Sequence, residues 1–251
     1  MKTIIDTFDD DTDAIIEPSR MAPRIEGFPK TAVVCFNERM ITALQEHYSL
    51  TLIDAMKGDF TAPVYKINFK DVDIAVYRTA VGGPETASLL EKMISKGCER
   101  FVFFGACGVL NRELAAKSLI VPTAAYRDEG TSYHYLPPST YVDIPTAARL
   151  AEIFTELNLP HVCGKTWTTD APYRETRANA ARRREDGCLT VEMECASIMA
   201  VAQFRGVDAY QFLYAADSLD AEEWDARTLG SLPQDDRERF LKIALEVAAR
   251  V

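Results

Sequence analysis

The chain reads as an α/β sandwich around a central, mainly parallel or mixed sheet. Two features of the sequence predict it. Short apolar runs of strand length alternate with segments of helical spacing along the chain, the order expected of α/β folds. The strand-length runs are also continuously apolar, as in TAVVCF at 31–36, which suits strands covered on both faces. With 251 residues the chain is long enough for a large core. No linker divides it, so residues 31–251 are expected to form a single domain behind an N-terminal arm of residues 1–30.

The arm is acidic and holds Pro18, Pro23, Gly27 and Pro29, so it reads as a surface segment without a long regular element. After the first strand, Asn37 is placed to cap a helix from Glu38 to Tyr48, in which Met40, Ile41, Leu44 and Tyr48 keep helical spacing. A strand covers 49–55. The β-rich runs 64–69 and 72–77, parted by Lys70 and Asp71, read as a hairpin. Gly82, Gly83 and Pro84 break the chain before a helix from Glu85 to Ser95, which Gly97 stops. Residues 100–104 return to strand, closed by a small-residue turn over Gly105–Gly108. A strand at 119–125, an irregular polar stretch from Arg127, a helix at 146–157 and a strand at 162–167 follow. Residues 175–184 read as a basic, solvent-facing helix, and 189–191 as a short strand. The stretch 190–204, TVEMECASIMAVAQF, reads as a buried helix with Glu192 and Glu194 at its mouth. A strand at 207–215 and a helix at 234–251 complete the order.

The formal net charge is -10, from 38 acidic and 28 basic residues. That disfavours a general nucleic-acid binder, and an anionic ligand would need a local basic patch. None of the six cysteines stands in a CxxC pair, and all but Cys188 lie in apolar surroundings. They read as small buried hydrophobes. His47, His134 and His161 are widely spaced and form no zinc signature. The N-terminus has acids where a secretion signal has a basic region and an apolar run. No membrane partner and a cytoplasmic location are therefore expected.

Sites in α/β folds lie where strands end. Arg39, Arg78–Gly83, Gly105–Gly108, Asp170–Arg174, Glu192–Glu194 and Asp217 fall there. Each has an ordinary reading: Asp217 as a turn former, the glycines as tight turns, the arginines as surface ion pairs, and Glu192 and Glu194 as the favourable start of a helix. Arg182–Arg184 read as a solvated face. Neither a dinucleotide fingerprint nor a P-loop is present. The chemical reading is that glycine-rich backbone with an arginine cradles an oxyanion. Glu194 accepts sugar hydroxyls over the flexible apolar surface of Met193. Asp217 hands a proton to a departing base if burial raises its pKa. Tyr133, His134 and Tyr173 supply stacking or a lid, or simply pack locally.

VEMECAS, preceded by TTDAPY and followed by YAADS, together with TAVGGPE and FFGACGV in the same order, resembles the nucleoside phosphorylase and nucleosidase superfamily. The uridine phosphorylase and purine nucleoside phosphorylase branch is the nearest in pattern, and the resemblance spans residues 31–251. It implies a three-layer α/β sandwich around a mixed, partly barrel-like sheet, assembled as homodimers or hexamers. It makes Glu194 the ligand of the ribose 2′ and 3′ hydroxyls, Met193 the surface under the ribose, and Glu192 the start of the motif. Asp217 matches the aspartate that protonates purine N7, which favours a purine. Tyr173, Arg177 and His134 are the further ribose- and base-side candidates.

The phosphate side departs from the family pattern. Cys35 replaces a glycine, Phe103 an arginine, and Ala106 a hydroxyl residue, leaving Arg39, Arg78 and Gly105 as candidates. The implied reaction is phosphorolysis, with inorganic phosphate as co-substrate and neither metal nor organic cofactor. Hydrolysis by water, with Glu38 near the register of the nucleosidase glutamate, and nucleoside binding without turnover stay open.

Overall fold

Among the described residues, ten strands form one sheet that closes on itself at one end. They are β1 (Thr31–Cys35), β2 (Thr51–Met56), β3 (Ala62–Phe69), β4 (Val72–Arg78), β5 (Arg100–Val109), β6 (Leu119–Asp128), β7 (Tyr141–Asp143), β8 (His161–Thr169), β9 (Cys188–Glu192) and β10 (Asp208–Ser218). The computed structural model describes residues 3–56, 61–111, 119–220 and 224–251. The strand order is β10-β6-β8-β9-β5-β1-β4-β3-β2, and β10 also pairs with β5. Strands β5, β9, β8, β6 and β10 thus make a ring, from which β1 to β4 extend as an open wing.

The pairing of β5 changes along its length. Arg100–Phe103 pair in parallel with Thr31–Val34 of β1. Gly108 and Val109 pair antiparallel with Val191 and Thr190 of β9. On its other side β5 runs parallel to β10 over its whole length, with a bulge in β10 between Ala215 and Asp217. Gly105–Gly108 are therefore strand, where the sequence suggested a turn. Their smallness serves the neighbours: a Cβ on Gly105 would meet the Phe36 ring at 3.0 Å, and one on Gly108 would meet Leu219 at 2.5 Å and Asp217 Oδ1 at 3.2 Å.

Among the described residues the helices are α1 (Pro18–Met21), α2 (Glu38–His47), α3 (Gly83–Lys96), α4 (Ala147–Glu156), α5 (Arg177–Glu185), α6 (Cys195–Arg205) and α7 (Gln234–Ala248). Asn37 caps α2, accepting the Arg39 N–H at 2.9 Å, and Gly97 ends α3 at φ 121°. Helix α2 packs on α7, which also covers β1 and β5, whereas α3 packs on α6. That second pair approaches closely at Gly83, where a Cβ would lie 2.3 Å from Ser197 Oγ. One main core joins the sheet to both helix groups. A small second cluster, Cys107, Val109, Ile120 and Leu213, lies on the opposite strand face, inside the ring.

Several local expectations change. Thr190–Glu192 belongs to β9, and the buried helix starts only at Cys195. Strand alternation buries Cys188 and exposes Cys163, the reverse of their sequence surroundings. Arg183 is not on a solvated face: its guanidinium stacks 3.6 Å from the Tyr126 ring centroid and pairs with Asp186 at 2.8 Å. The polar stretch after β6 contains a 3-10 turn, Thr131–His134, and the short strand β7. Lys70 and Asp71 both take positive φ in the β3–β4 turn (52° and 62°), the backbone of the tight hairpins that match strand twist. The described part of the arm has only a 3-10 turn at Ile4–Asp6 and α1. Its end docks on α3 through Ser95 Oγ donating to the Ala22 carbonyl at 2.7 Å. No helix among the described residues is long and apolar enough to cross a membrane.

Candidate active site

The start of α6 is held by two residues of neighbouring strands. Glu192, the last residue of β9, accepts the N–H groups of Glu194 (2.8 Å) and Cys195 (2.6 Å) on one carboxylate oxygen. Thr168 of β8 donates to its other oxygen at 2.6 Å and accepts the Ala196 N–H at 3.0 Å. Three of the donors at the helix start, the N–H groups of Glu194, Cys195 and Ala196, are thereby satisfied within the protein. Glu192 is thus a buried cap. Glu194, two residues on, points elsewhere and takes the Gly82 N–H at 2.6 Å. The chain break at Gly82–Gly83 and the VEME stretch, more than a hundred residues apart, meet through that bond.

Both carboxylates are nearly inaccessible, at 6% and 7% exposure. Burial, reinforced for Glu194 by the charge of Glu192, holds both well above the ordinary carboxylate range. The Gly82, Glu194 and Cys195 N–H groups and the Thr168 hydroxyl offset part of that rise.

These residues form one wall of a cavity of about 690 Å³. It opens where β5 has left β1 and not yet met β9. Phe36, Val81, Ala106, Cys107 and Gly108 line the β1–β5 side; Glu192, Met193 and Glu194 line the β9–α6 side. The third side holds Tyr173, Glu175, Arg177, Asp217, Leu219, Trp224 and Leu229. The bulge in β10 places Asp217 opposite Gly108. Its carboxylate accepts the Trp224 indole N–H at 2.8 Å. Burial raises the Asp217 pKa, while the indole bond and the Arg227 charge pull it back. Tyr173, 99% exposed, stands at the rim. Volume and lining suit a small organic ligand held by a few polar groups on an apolar frame.

Six of the ten residues given a catalytic or binding role from the sequence therefore share one cavity: Glu192, Met193, Glu194, Tyr173, Arg177 and Asp217. The other four do not line it. Arg39 is exposed on α2, and Arg78 pairs with Glu38 at 2.7 Å. Gly105 is covered by the Phe36 ring. His134 lies in a second cleft of about 610 Å³, beside Asp170, Tyr135 and the arm residues Asp11 and Thr12. Arg177 is the one cationic side chain lining the main cavity among the described residues.

Phe36, Glu175 and Trp224 are cavity residues that were not picked out as site residues from the sequence. Only the arrival of the 224–229 segment over β10 makes Trp224 a partner of Asp217. Buried Cys107 and Cys195 have their thiols pushed far up by desolvation, so they are wall atoms rather than nucleophiles. No group of His, Cys, Asp and Glu suited to a metal ion occurs among the described residues.

The chain is 26% identical over 158 residues to an uncharacterised protein of Acanthamoeba polyphaga mimivirus, covering 62% of each. It is 28% identical over 191 residues to a guanosine phosphorylase of Halorubrum lacusprofundi, covering 72% of this chain and 79% of that one. Among solved structures it superposes with a TM-score of 0.73 on purine nucleoside phosphorylase from Toxoplasma gondii in complex with immucillin-H. That match covers 92% of both chains at 18% identity, a likeness of fold that includes the partly closed sheet. The family model described as the phosphorylase superfamily matches residues 30–251, and the chain belongs to that superfamily.

Proposed function

We propose that the protein cleaves the N-glycosidic bond of a nucleoside with inorganic phosphate, releasing the free base and a pentose 1-phosphate, with purines favoured. The observation that supports it is the shared cavity: Glu194, Met193 and Asp217 face one space large enough for a nucleoside. Glu194 accepts the ribose hydroxyls, and Met193 lies under the sugar. As the glycosidic bond lengthens its electron pair moves to the base, and Asp217 delivers a proton to the leaving ring nitrogen. A phosphate oxygen attacks the anomeric carbon from the opposite side. The raised pKa of Asp217 favours an acid that still holds its proton. Tyr173 and Arg177 close on the base. Arg39, Arg78 and the Gly105 backbone are the phosphate-side groups, with Arg78 exchanging its Glu38 partner for the anion. Positioning and electrostatics carry the rate, without a metal or organic cofactor. The active unit is a homodimer or hexamer in the cytoplasm.

A second reading has water as the nucleophile, or binding without turnover. It is favoured by the apolar β1–β5 side, where Phe36 covers Gly105 and Ala106 offers no hydroxyl. One assay separates them: a panel of purine and pyrimidine nucleosides incubated with and without phosphate. Phosphorolysis requires base and pentose 1-phosphate in equal amounts, and only with phosphate. Base release at the same rate without phosphate would establish hydrolysis instead. Binding with no product in either condition would leave a nucleoside-binding protein. Light scattering on the eluted protein checks the assembly.

A further inference from the structure

Behind the Gly82 turn lies a buried polar network outside the cavity. Glu129, the residue after β6, is only 7% exposed. Its carboxylate accepts the Ser132 N–H at 3.0 Å, the Ser132 hydroxyl and, at 2.7 Å, the Ser197 hydroxyl of α6. Arg127 Nε donates to Ser132 Oγ at 2.8 Å. The other Arg127 N–H groups hold the Leu136 and Pro137 carbonyls and Ser139 Oγ. Both Ser132 and Ser197 are fully buried. A carboxylate taken this far from water is costly unless every donor stays in place, so its loss is felt by all the groups bonded to it.

The network encloses one backbone position. A Cβ on Gly83 would lie 2.3 Å from Ser197 Oγ and 3.1 Å from Thr131 Oγ1. Gly83 is therefore wedged between the two segments that Glu129 ties together, α6 through Ser197 and the Thr131–His134 turn through Ser132. The residue before it, Gly82, supplies the N–H that Glu194 accepts at 2.6 Å. Glu194 itself stands one turn ahead of Ser197, its carbonyl accepting the Ile198 N–H at 2.9 Å. The cavity carboxylate and its backbone donor are thus both fixed against Glu129, which does not line the cavity.

We infer that Glu129 is a positioning residue for sugar recognition: through Ser197 and the Gly82–Gly83 turn it sets the direction in which Glu194 presents its carboxylate. The inference rests on reading the cavity as a nucleoside site. Without Glu129 the Ser197 hydroxyl loses its acceptor and Ser132 its anchor, and the Gly82 turn is free to shift between them. A displacement of about 1 Å at a positioning group costs up to about a hundredfold in rate. Glutamine at this position keeps an oxygen for Ser197 and the Ser132 N–H, whereas alanine removes all three bonds.

The full-length protein is assayed with guanosine, uridine and their 2′,3′-dideoxy analogues, by kcat/KM and by calorimetric binding. Wild type, Glu129→Gln, Glu129→Ala and Ser197→Ala are compared, each with a melting curve. Glu129→Ala should lose about ten- to a hundredfold on the ribonucleoside and stay within about threefold of wild type on the dideoxy analogue. Ser197→Ala should lose discrimination in the same direction and add little to Glu129→Ala, since both cut one link. Glu129→Gln should keep the wild-type ratio to within about threefold. Should Glu129→Ala fail to fold, Ser197→Ala, which deletes a single hydroxyl, decides alone. Equal losses on both kinds of nucleoside, or an unchanged ratio in a folded variant, overturn the inference alone. A Glu129→Gln variant as impaired as Glu129→Ala also overturns it, because charge and not position would then be at work. Failure of the wild type to bind any nucleoside overturns the nucleoside reading of the cavity and this inference with it.

Discussion

Replacing Glu194 by glutamine removes a charge and keeps the shape. The amide oxygen of the variant can still accept the Gly82 N–H, so the 2.6 Å tie between the Gly82 turn and α6 is retained. The repulsion from Glu192 is lost. Folding should therefore be unharmed, and the variant should melt at or above the wild-type temperature at pH 8. Ligand binding should respond differently. A hydrogen bond to a charged acceptor contributes about 1.5–3 kcal/mol, against about 0.5–1.5 for a neutral one. Two ribose hydroxyls on one carboxylate therefore lose about 2–3 kcal/mol, roughly a thirty- to hundred-and-fifty-fold drop in kcat/KM. The control is a 2′,3′-dideoxynucleoside, which lacks both hydroxyls. The wild type should discriminate strongly against it, and Glu194→Gln should discriminate little. Wild-type kinetics for the ribonucleoside in a folded Glu194→Gln variant would refute the assignment of the sugar to this carboxylate.

Three further outcomes are expected. Glu192 and Glu194 ionise later in the folded chain than in the unfolded one, so the native state binds the extra protons; the ligand-free protein should lose stability as pH rises from about 5 to about 8, and Glu194→Gln should flatten that slope in melting curves. Trp224→Phe deletes the donor that holds the Asp217 pKa down; the limb of the pH–rate profile governed by Asp217 should move to higher pH, and an unmoved limb would separate Trp224 from the acid. Gly83→Ala forces a methyl to 2.3 Å from Ser197 Oγ, whose hydroxyl is already bonded to buried Glu129 at 2.7 Å; a loss of about 1–3 kcal/mol is expected, read as a melting point lower by several degrees.

The parts legible in the sequence were those governed by local rules. The Asn37 cap, the Gly97 stop and the apolar strands all report on their immediate neighbours in the chain. The VEME stretch was legible as a carboxylate pair, but its division of labour was not. Glu192 becomes a helix cap because Thr168, from another strand, supplies a hydroxyl to its other oxygen. Glu194 is turned towards Gly82 by a contact across the fold. FFGACGV reads as a turn by composition, because small residues mark turns more often than strands. Its small residues are instead dictated by Phe36, Leu219 and Asp217 leaning on it from elsewhere. Arg183 looked solvated because its sequence neighbours are charged, and only the register of β6 brings Tyr126 beneath it. Glu175 and Trp224 gain meaning solely from their distance to Asp217, which no one-dimensional pattern encodes.

The change of partner along β5 has a consequence for how the cavity behaves when empty. Its opening is a fork in the hydrogen-bonded ladder, between the last β1 pairing at Phe103 and the first β9 pairing at Gly108. Main-chain bonds hold both tines apart, so side-chain relaxation alone does not collapse the space. A ligand entering there meets a vessel already shaped, and adaptation is left to the rim, where Tyr173 and Trp224 stand. Affinity should then vary with rim substitutions mainly through dissociation rates, while the fork itself tolerates new chemistry on its walls. The scaffold that aims Glu194 into the cavity is separate from the β1–β5 side, where Ala106 lines it, so that carboxylate keeps its place whatever occupies the other tine.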